Sequence, residues 1–476
     1  MEYGDFQTPT DLADRVCRRL AELGIRPGTI IEPTCGTGAF VEAAARIFVS
    51  AKRIIGIEVN DGYLEDLRCR LPEIIGHQRI EPRQGNFFDI DWRELLKQCD
   101  GPVLILGNPP WITNSSQGGF GGRNLPVKSN FQHHQGMDAL TGKSNFDISE
   151  WMFLKLSEAL EQTGGTLAVL CKTTVARKFF HQMHLRQAAV SDASVFSIEA
   201  ARYFGVSVEA ALLLCRFGER MQPFQYAMYP DLETERKTII GWRKNIPVRD
   251  LNSFDRNQDL FGQSNYKWRS GIKHDCSEVM EFRLTNGVLM NGMGEAVEIE
   301  PAFIYPLLKG ADVANGRTVE TDRYVLVTQK NPGDETRGIE QFAPKTWDYL
   351  LAHADRLDGR KSRIYRESPR FSIFGVGAYS FAPWKVAICG LYKKIEFQLV
   401  GSVNGRPVMF DDTVYFLDFQ TRKEAEEVLG FLRQDRVQKF LDSMIFWDEK
   451  RPIKAAVLNH LKLKNTLSGT GSLFTL

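Results

Sequence analysis

Between residues 25 and 217 the chain alternates short apolar runs with longer amphipathic stretches, and no other feature narrows its possible folds so far. The runs are TIIEP (29–33), RIIGIEV (53–59), VLILGNPP (103–110), GTLAVLCKTT (165–174) and VEAALLLCRF (208–217). Their brevity and their β-branched or leucine-rich content suit strands buried on both faces. Strands alternating with helical patterns predict an α/β fold: an open, mostly parallel sheet with helices on both faces. In TPTDLADRVCRRLAEL (8–23), Leu12, Val16, Leu20 and Leu23 recur at helical spacing behind Thr10 or Asp11 as cap. In DISEWMFLKLSEALEQTGG (147–165), Asp147 or Ser149 caps a helix with Trp151, Leu154 and Leu156 on its apolar face, and Gly164 stops it.

A chain of 476 residues exceeds one ordinary core, so two domains are expected. The βα rhythm ends after about residue 218, which puts a boundary near 240, give or take some ten residues: one domain over 1–240 and an α+β domain over 241–476. Residues 112–145 are rich in Gly, Ser and Asn; they form either a functional loop or an insertion without structure. The eight cysteines include no CxxC pair, which argues against a zinc knuckle and a disulfide framework, so no metal is expected. No apolar stretch is long enough to span a bilayer, and MEYGDFQTPTDL lacks the basic and apolar segments of a secretory signal, so a cytoplasmic protein without membrane contact is expected. A formal charge of +1 leaves a nucleic-acid partner open; a DNA surface would have to be a local patch.

The chemistry gathers where the strands end, the edge at which open α/β sheets bind ligands. The first strand runs into a glycine turn, Glu32, Pro33, Thr34, Cys35, Gly36, with Gly38 beyond it, which would let backbone approach a ligand at a helix N-terminus. Val41 stands where a dinucleotide fingerprint has its third glycine, which lowers the case for NAD. The second strand ends in Glu58, suited to ribose hydroxyls; the third leads to Asn86 and Phe87; the fourth ends in Asn108, Pro109, Pro110 and Trp111. The prolines fix the loop, and a missing N–H costs nothing where the strand has ended.

The order of Gln7-Thr8-Pro9, Glu32 to Phe40, Glu58, Gly85-Asn86-Phe87-Phe88 and Asn108-Pro109-Pro110-Trp111 resembles the class I S-adenosylmethionine-dependent methyltransferases, with a Rossmann-like domain. More narrowly it is similar to the amino-DNA methyltransferases of the TaqI type, the gamma class, whose target-recognition domain is C-terminal. The resemblance covers residues 1 to about 217 motif by motif. It implies that Thr8 and the Glu32–Gly38 turn hold the methionine end of the cofactor, Glu58 the ribose, and Asn86 with Phe87 the adenine, with Phe146 of NFDIS walling the pocket. Asn86 departs from the family's Asp, so its contribution carries no charge. Asn108, which also borders the cofactor, and the Pro109 carbonyl would grip the amino group of an adenine flipped out of duplex DNA. Trp111 and Phe204 would stack on that base, a contact worth about 1–3 kcal/mol.

The function so implied is site-specific adenine-N6 methylation of double-stranded DNA. S-Adenosylmethionine would be the cofactor and S-adenosylhomocysteine the product, with no metal. The protein would be a nucleoid-associated prokaryotic monomer, the modification enzyme beside a separately encoded restriction endonuclease. N4-cytosine methylation remains the alternative, though Ser commonly replaces Asn108 there, as does an RNA or protein amino-methyltransferase sharing NPPW, although those are generally smaller. Cytosine-C5 chemistry is excluded, since no Pro-Cys pair exists. In the C-terminal half, Lys267, Arg269, Arg360, Lys361, Arg363, Arg366, Arg370 and Lys385 lie among aromatic residues, as suits phosphate contacts, and Arg123, Lys128 and Lys143 of the long loop are further candidates.

Overall fold

A computed structural model describes residues 6–73, 79–111 and 147–463. They form two compact units, Met1–Leu251 and Asn252–Leu476.

The first unit begins with α1 (Thr10–Glu22), β1 (Thr29–Glu32), α2 (Ala39–Ile47), β2 (Arg53–Glu58), α3 (Asp61–Arg70), β3 (Arg79–Gln84), α4 (Trp92–Lys97) and β4 (Val103–Gly107). It continues with α5 (Ile148–Thr163), β5 (Gly165–Lys172), α6 (Thr173–Arg186), β6 (Val190–Ile198), α7 (Ala200–Phe204) and β7 (Ala210–Phe217), then β8 (Gln225–Tyr229), β9 (Thr238–Arg243) and β10 (Ile246–Val248). Ten strands make one sheet in the order β10-β9-β8-β6-β7-β5-β4-β1-β2-β3. β1 to β5 pair in parallel, and β7 lies antiparallel between β5 and β6. The connection from Ile198 to Ala210 is too short for the crossover that a parallel neighbour needs, roughly a dozen or more residues.

Side chains alternate across the sheet, and both faces are covered. Ile30, Ile54, Leu104, Leu106, Ala168 and Leu212 pack with Leu12, Val16 and Leu20 of α1, Phe40 of α2 and Leu64 and Leu67 of α3. Ile31, Ile105, Leu167, Val169 and Leu213 point the other way and are equally buried, where α5 and α6 lie on β5 and α4 lies on α5. Asp147 caps α5 by accepting from Ser149 N, and Gly164 ends the helix at φ 74°, as its sequence predicts. The cap of α1 differs: Pro9 holds the N-cap position with no side-chain bond, and Thr10 opens the helix.

β8 pairs in parallel with β6, β9 antiparallel with β8, and β10 folds back on β9 through Lys244 and Asn245, both at positive φ. This extension crosses residue 240, so the units divide at Leu251 instead.

The second unit contains a five-stranded and a four-stranded sheet. The first joins β12 (Glu281–Thr285), β13 (Val288–Asn291), β14 (Ile304–Leu308), β15 (Arg323–Leu326) and β18 (Met409–Phe410). The second joins β11 (Arg269–Ser270), β16 (Trp384–Cys389), β17 (Gln398–Val400) and β19 (Val414–Phe419), with α8 (Arg422–Leu432) packed on β16, β17 and β19. The fold is α+β.

Candidate active site

Register sets the site. β1 pairs with β2 up to Glu32 opposite Gly56, and β2 with β3 up to Glu58 opposite Gln84, so the parallel strands deliver their C-terminal residues to one edge. There an open cavity, about 1000 Å³ when the solvent at its mouth is counted, is lined by Thr8, Glu32, Thr34, Glu58, Asn86 and Asn108, among others. Pro33, Cys35, Gly36, Phe87 and Pro110 also face it. Residues dispersed over a hundred positions of sequence thus share one concavity.

The glycine turn is held from two sides. Glu58 is buried, and its carboxylate accepts from Gly36 N (2.8 Å), Val59 N (2.9 Å) and Asn60 N (2.9 Å). Gln7 Oε1 accepts from Thr37 N (3.1 Å) and Thr37 Oγ1 (3.2 Å). Gly36 has φ 50°, and a Cβ there would stand 2.6 Å from Gln7 Oε1, so glycine is favoured over residues that would strain the backbone and displace Gln7. Gly38 answers a different need from the ligand approach expected of it. It begins α2 at φ 92° outside the cavity lining, and a Cβ would meet Leu67 Cδ1 at 2.5 Å.

Glu32 is 4% exposed, and its Oε2 has no hydrogen-bond partner; Thr34 Oγ1 lacks one too. Burial pushes the Glu32 carboxyl well above the usual range, the Val41 backbone N–H opposes the shift, and the nearby Glu58 adds to it. Asn86 sits at the rim, where its Oδ1 accepts from Phe88 N (3.2 Å) and caps a short turn of helix.

Asn108 follows β4. Its Nδ2 donates to the Phe6 carbonyl at 3.0 Å, and its Oδ1 is buried without a partner. The bond to Phe6 fixes which end of the amide faces which way, leaving an acceptor oxygen uncommitted. Behind it the aromatic residues are already engaged. Trp111, expected to present a stacking face, is 5% exposed, and its ring lies 5.0 Å from that of Phe204 at 67° and 5.9 Å from that of Phe6. Phe6 meets Phe204 at 6.0 Å. A base between two rings needs two contacts of about 3.5–4.0 Å each, so Trp111 and Phe204 as placed do not admit one.

Two residues, Phe6 and Lys172, escaped the sequence reading, and Gln7 entered it only as part of the Gln7-Thr8-Pro9 motif. The Phe6 carbonyl and the Gln7 side chain tie the N-terminal segment to the site, and Lys172, the last residue of β5, donates to the Trp111 carbonyl (2.9 Å) and Asp147 Oδ2 (2.6 Å). The end-of-strand logic that singles out Asn108 also applies to Lys172. Phe146, Arg123, Lys128, Lys143 and the stretch 112–145 lie outside the described residues.

Several basic residues expected on DNA serve the fold. Arg360 is 6% exposed; it donates to the carbonyls of Leu357, His274 and Ser372 and stacks on Tyr365 at 3.8 Å. Lys385 is 1% exposed and donates to the Ala382 carbonyl, and burial lowers its pKa to about 7. Neither can reach a phosphate. Arg363 pairs with Glu367, Arg370 with Asp358, and Arg269 stacks on Tyr379 at 4.7 Å. Lys267, Lys361 and Arg366 are exposed and form no ion pair among the described residues.

No family model matches the chain. The type II methyltransferase M.NspV of Nostoc sp. (strain ATCC 29411 / PCC 7524) is 47% identical over 98% of this chain and 97% of its own length. The type II methyltransferase M.CvrRI of Paramecium bursaria Chlorella virus XZ-6E is 34% identical over 23% of this chain and 25% of its own. Among solved structures, the type IIL restriction-modification enzyme MmeI in complex with DNA aligns with a TM-score of 0.48 at 13% identity, covering 88% of this chain and 60% of that one. On the near full-length identity to the Nostoc protein, the chain belongs to the type II methyltransferases, the S-adenosylmethionine-dependent DNA-modifying enzymes of restriction–modification systems.

Proposed function

We propose that the chain methylates the exocyclic N6 of adenine in duplex DNA at a specific sequence, the target base being turned out of the helix into the site, and that a separately encoded endonuclease cleaves the unmodified sequence. The observation that carries this reading is the uncommitted Oδ1 of Asn108, held in place through Nδ2 by the Phe6 carbonyl at 3.0 Å beside the cavity.

The cavity residues fit the cofactor. Glu32 Oε2 and Thr34 Oγ1 are buried polar atoms awaiting partners, and they suit the charged methionine end. Glu58 spends three of its roughly four acceptor positions on backbone N–H groups, which leaves capacity for a ribose hydroxyl. Asn86 and Phe87 border the remaining space, where adenine would lie. When bound, S-adenosylmethionine supplies an activated methyl group on a sulfonium.

The chain's own contribution is to the nucleophile. The amine of adenine is weakly nucleophilic because its lone pair is delocalised into the ring. Asn108 Oδ1 and the Pro109 carbonyl accept its two N–H hydrogens, favour a tetrahedral nitrogen, and stabilise the positive charge that grows as the new bond forms. No covalent enzyme intermediate is required.

Incubating methylation-free DNA with the enzyme and labelled cofactor, then resolving the nucleosides, tests the reading. N6-methyladenine in one sequence context is expected. N4-methylcytosine in its place, or label on RNA or protein alone, would overturn it.

A further inference from the structure

Lys172 joins the turn that follows β4 to the start of α5. β4 pairs with β5 as far as Gly107 opposite Val169, and β5 continues from Val169 to Lys172, roughly 10 Å of extended chain. That overhang places the lysine above the Asn108–Trp111 turn. Its ammonium donates to the Trp111 carbonyl at 2.9 Å and to Asp147 Oδ2 at 2.6 Å. Asp147 is 6% exposed and commits its other oxygen to Ser149 N (3.2 Å) and Ser149 Oγ (2.6 Å), which fixes it at the start of α5.

We infer that Lys172 is a positioning residue for methyl transfer: one ammonium clamps the end of the Asn108–Trp111 turn to the N-terminus of α5 and so fixes the Asn108 and Pro109 acceptors. The inference rests on the proposed role of Asn108. A neutral side chain at 172 leaves the Trp111 carbonyl without this donor and the buried Asp147 carboxylate uncompensated. The turn then loses its ionic anchor at Trp111, while the glycine turn, Glu32 and Glu58, on other strands, keep their bonds. Catalysis should suffer and cofactor binding should not. Arginine keeps both the charge and the donors.

The test compares single-turnover transfer rates, at saturating cofactor and duplex carrying the mapped sequence, for wild type, Lys172→Met and Lys172→Arg, with cofactor dissociation constants and melting temperatures measured alongside. Lys172→Met is expected to be slower by on the order of 10²-fold, as for a misplacement near 1 Å, with cofactor affinity changed by less than about twofold. Lys172→Arg should recover most of the rate. Lys172→Gln, which keeps a donor without the charge, takes the place of Lys172→Met if that variant fails to fold, and the same slowing is expected. An unchanged rate overturns the inference, as does a rate loss matched by loss of cofactor affinity, or an arginine variant no better than methionine. Wild type that transfers nothing to adenine overturns the proposed function instead, so the two failures are separable.

Discussion

At Glu32 the protein keeps a buried acid. A carboxyl whose folded pKa exceeds its unfolded value binds its proton more tightly in the folded chain, so stability falls as pH rises from the ordinary 4.5 through the raised value and is level above it. Glu32→Gln is expected to remove that slope and to be relatively more stable at neutral pH, as read by melting against pH. A cationic ligand favours the ionised carboxylate, so wild-type cofactor affinity should climb with pH over the same window while that of Glu32→Gln stays level. Equal slopes in the two proteins would contradict the assignment. Gly36 offers a second check. Alanine at φ 50° costs about 1–2 kcal/mol and pushes on Gln7 besides, so Gly36→Ala should weaken cofactor binding by roughly tenfold or more in a calorimetric titration.

Legibility in the sequence follows the reach of each interaction at the level of elements. The strands from β1 to β5 were readable because period and composition are local, and so was the cap of α5, where Asp147 acts on its own second neighbour. Their C-terminal ends were readable as a site because parallel strands share an edge, and Glu32, Glu58, Asn86 and Asn108 do meet at one cavity. The antiparallel direction of β7 was not, since VEAALLLCRF has the same composition whichever way it runs. Nor was the burial of Trp111, which Phe6 covers from a hundred residues away. A run of basic residues says nothing of its partners: Arg360 is held by carbonyls at 274, 357 and 372, and only the last two are near in sequence. The strand order of the second unit, though not its α+β class, stayed out of reach because its strands are short and many of their pairings join distant segments, as β14 with β18 does.

For the whole molecule, near-neutral charge means that DNA affinity must come from a few local cations. Lys361 and Arg366 are candidates that the fold does not use. Replacing both with alanine should reduce the slope of log affinity against log salt by roughly 1–2 units, since each phosphate contact contributes about 0.9. An unchanged slope would remove them from the interface. The same double variant should bind cofactor as wild type does, because neither residue borders the cavity.

Everything in the proposed chemistry turns on one oxygen. The measurement that tests it most directly is the single-turnover methyl-transfer rate of Asn108→Ala beside its cofactor dissociation constant. The expected result is a loss of at least on the order of 10²–10³ in rate, as when an aligned electrostatic partner of a transition state is deleted, with cofactor affinity reduced far less than the rate. A variant that transfers methyl groups at the wild-type rate would contradict the account.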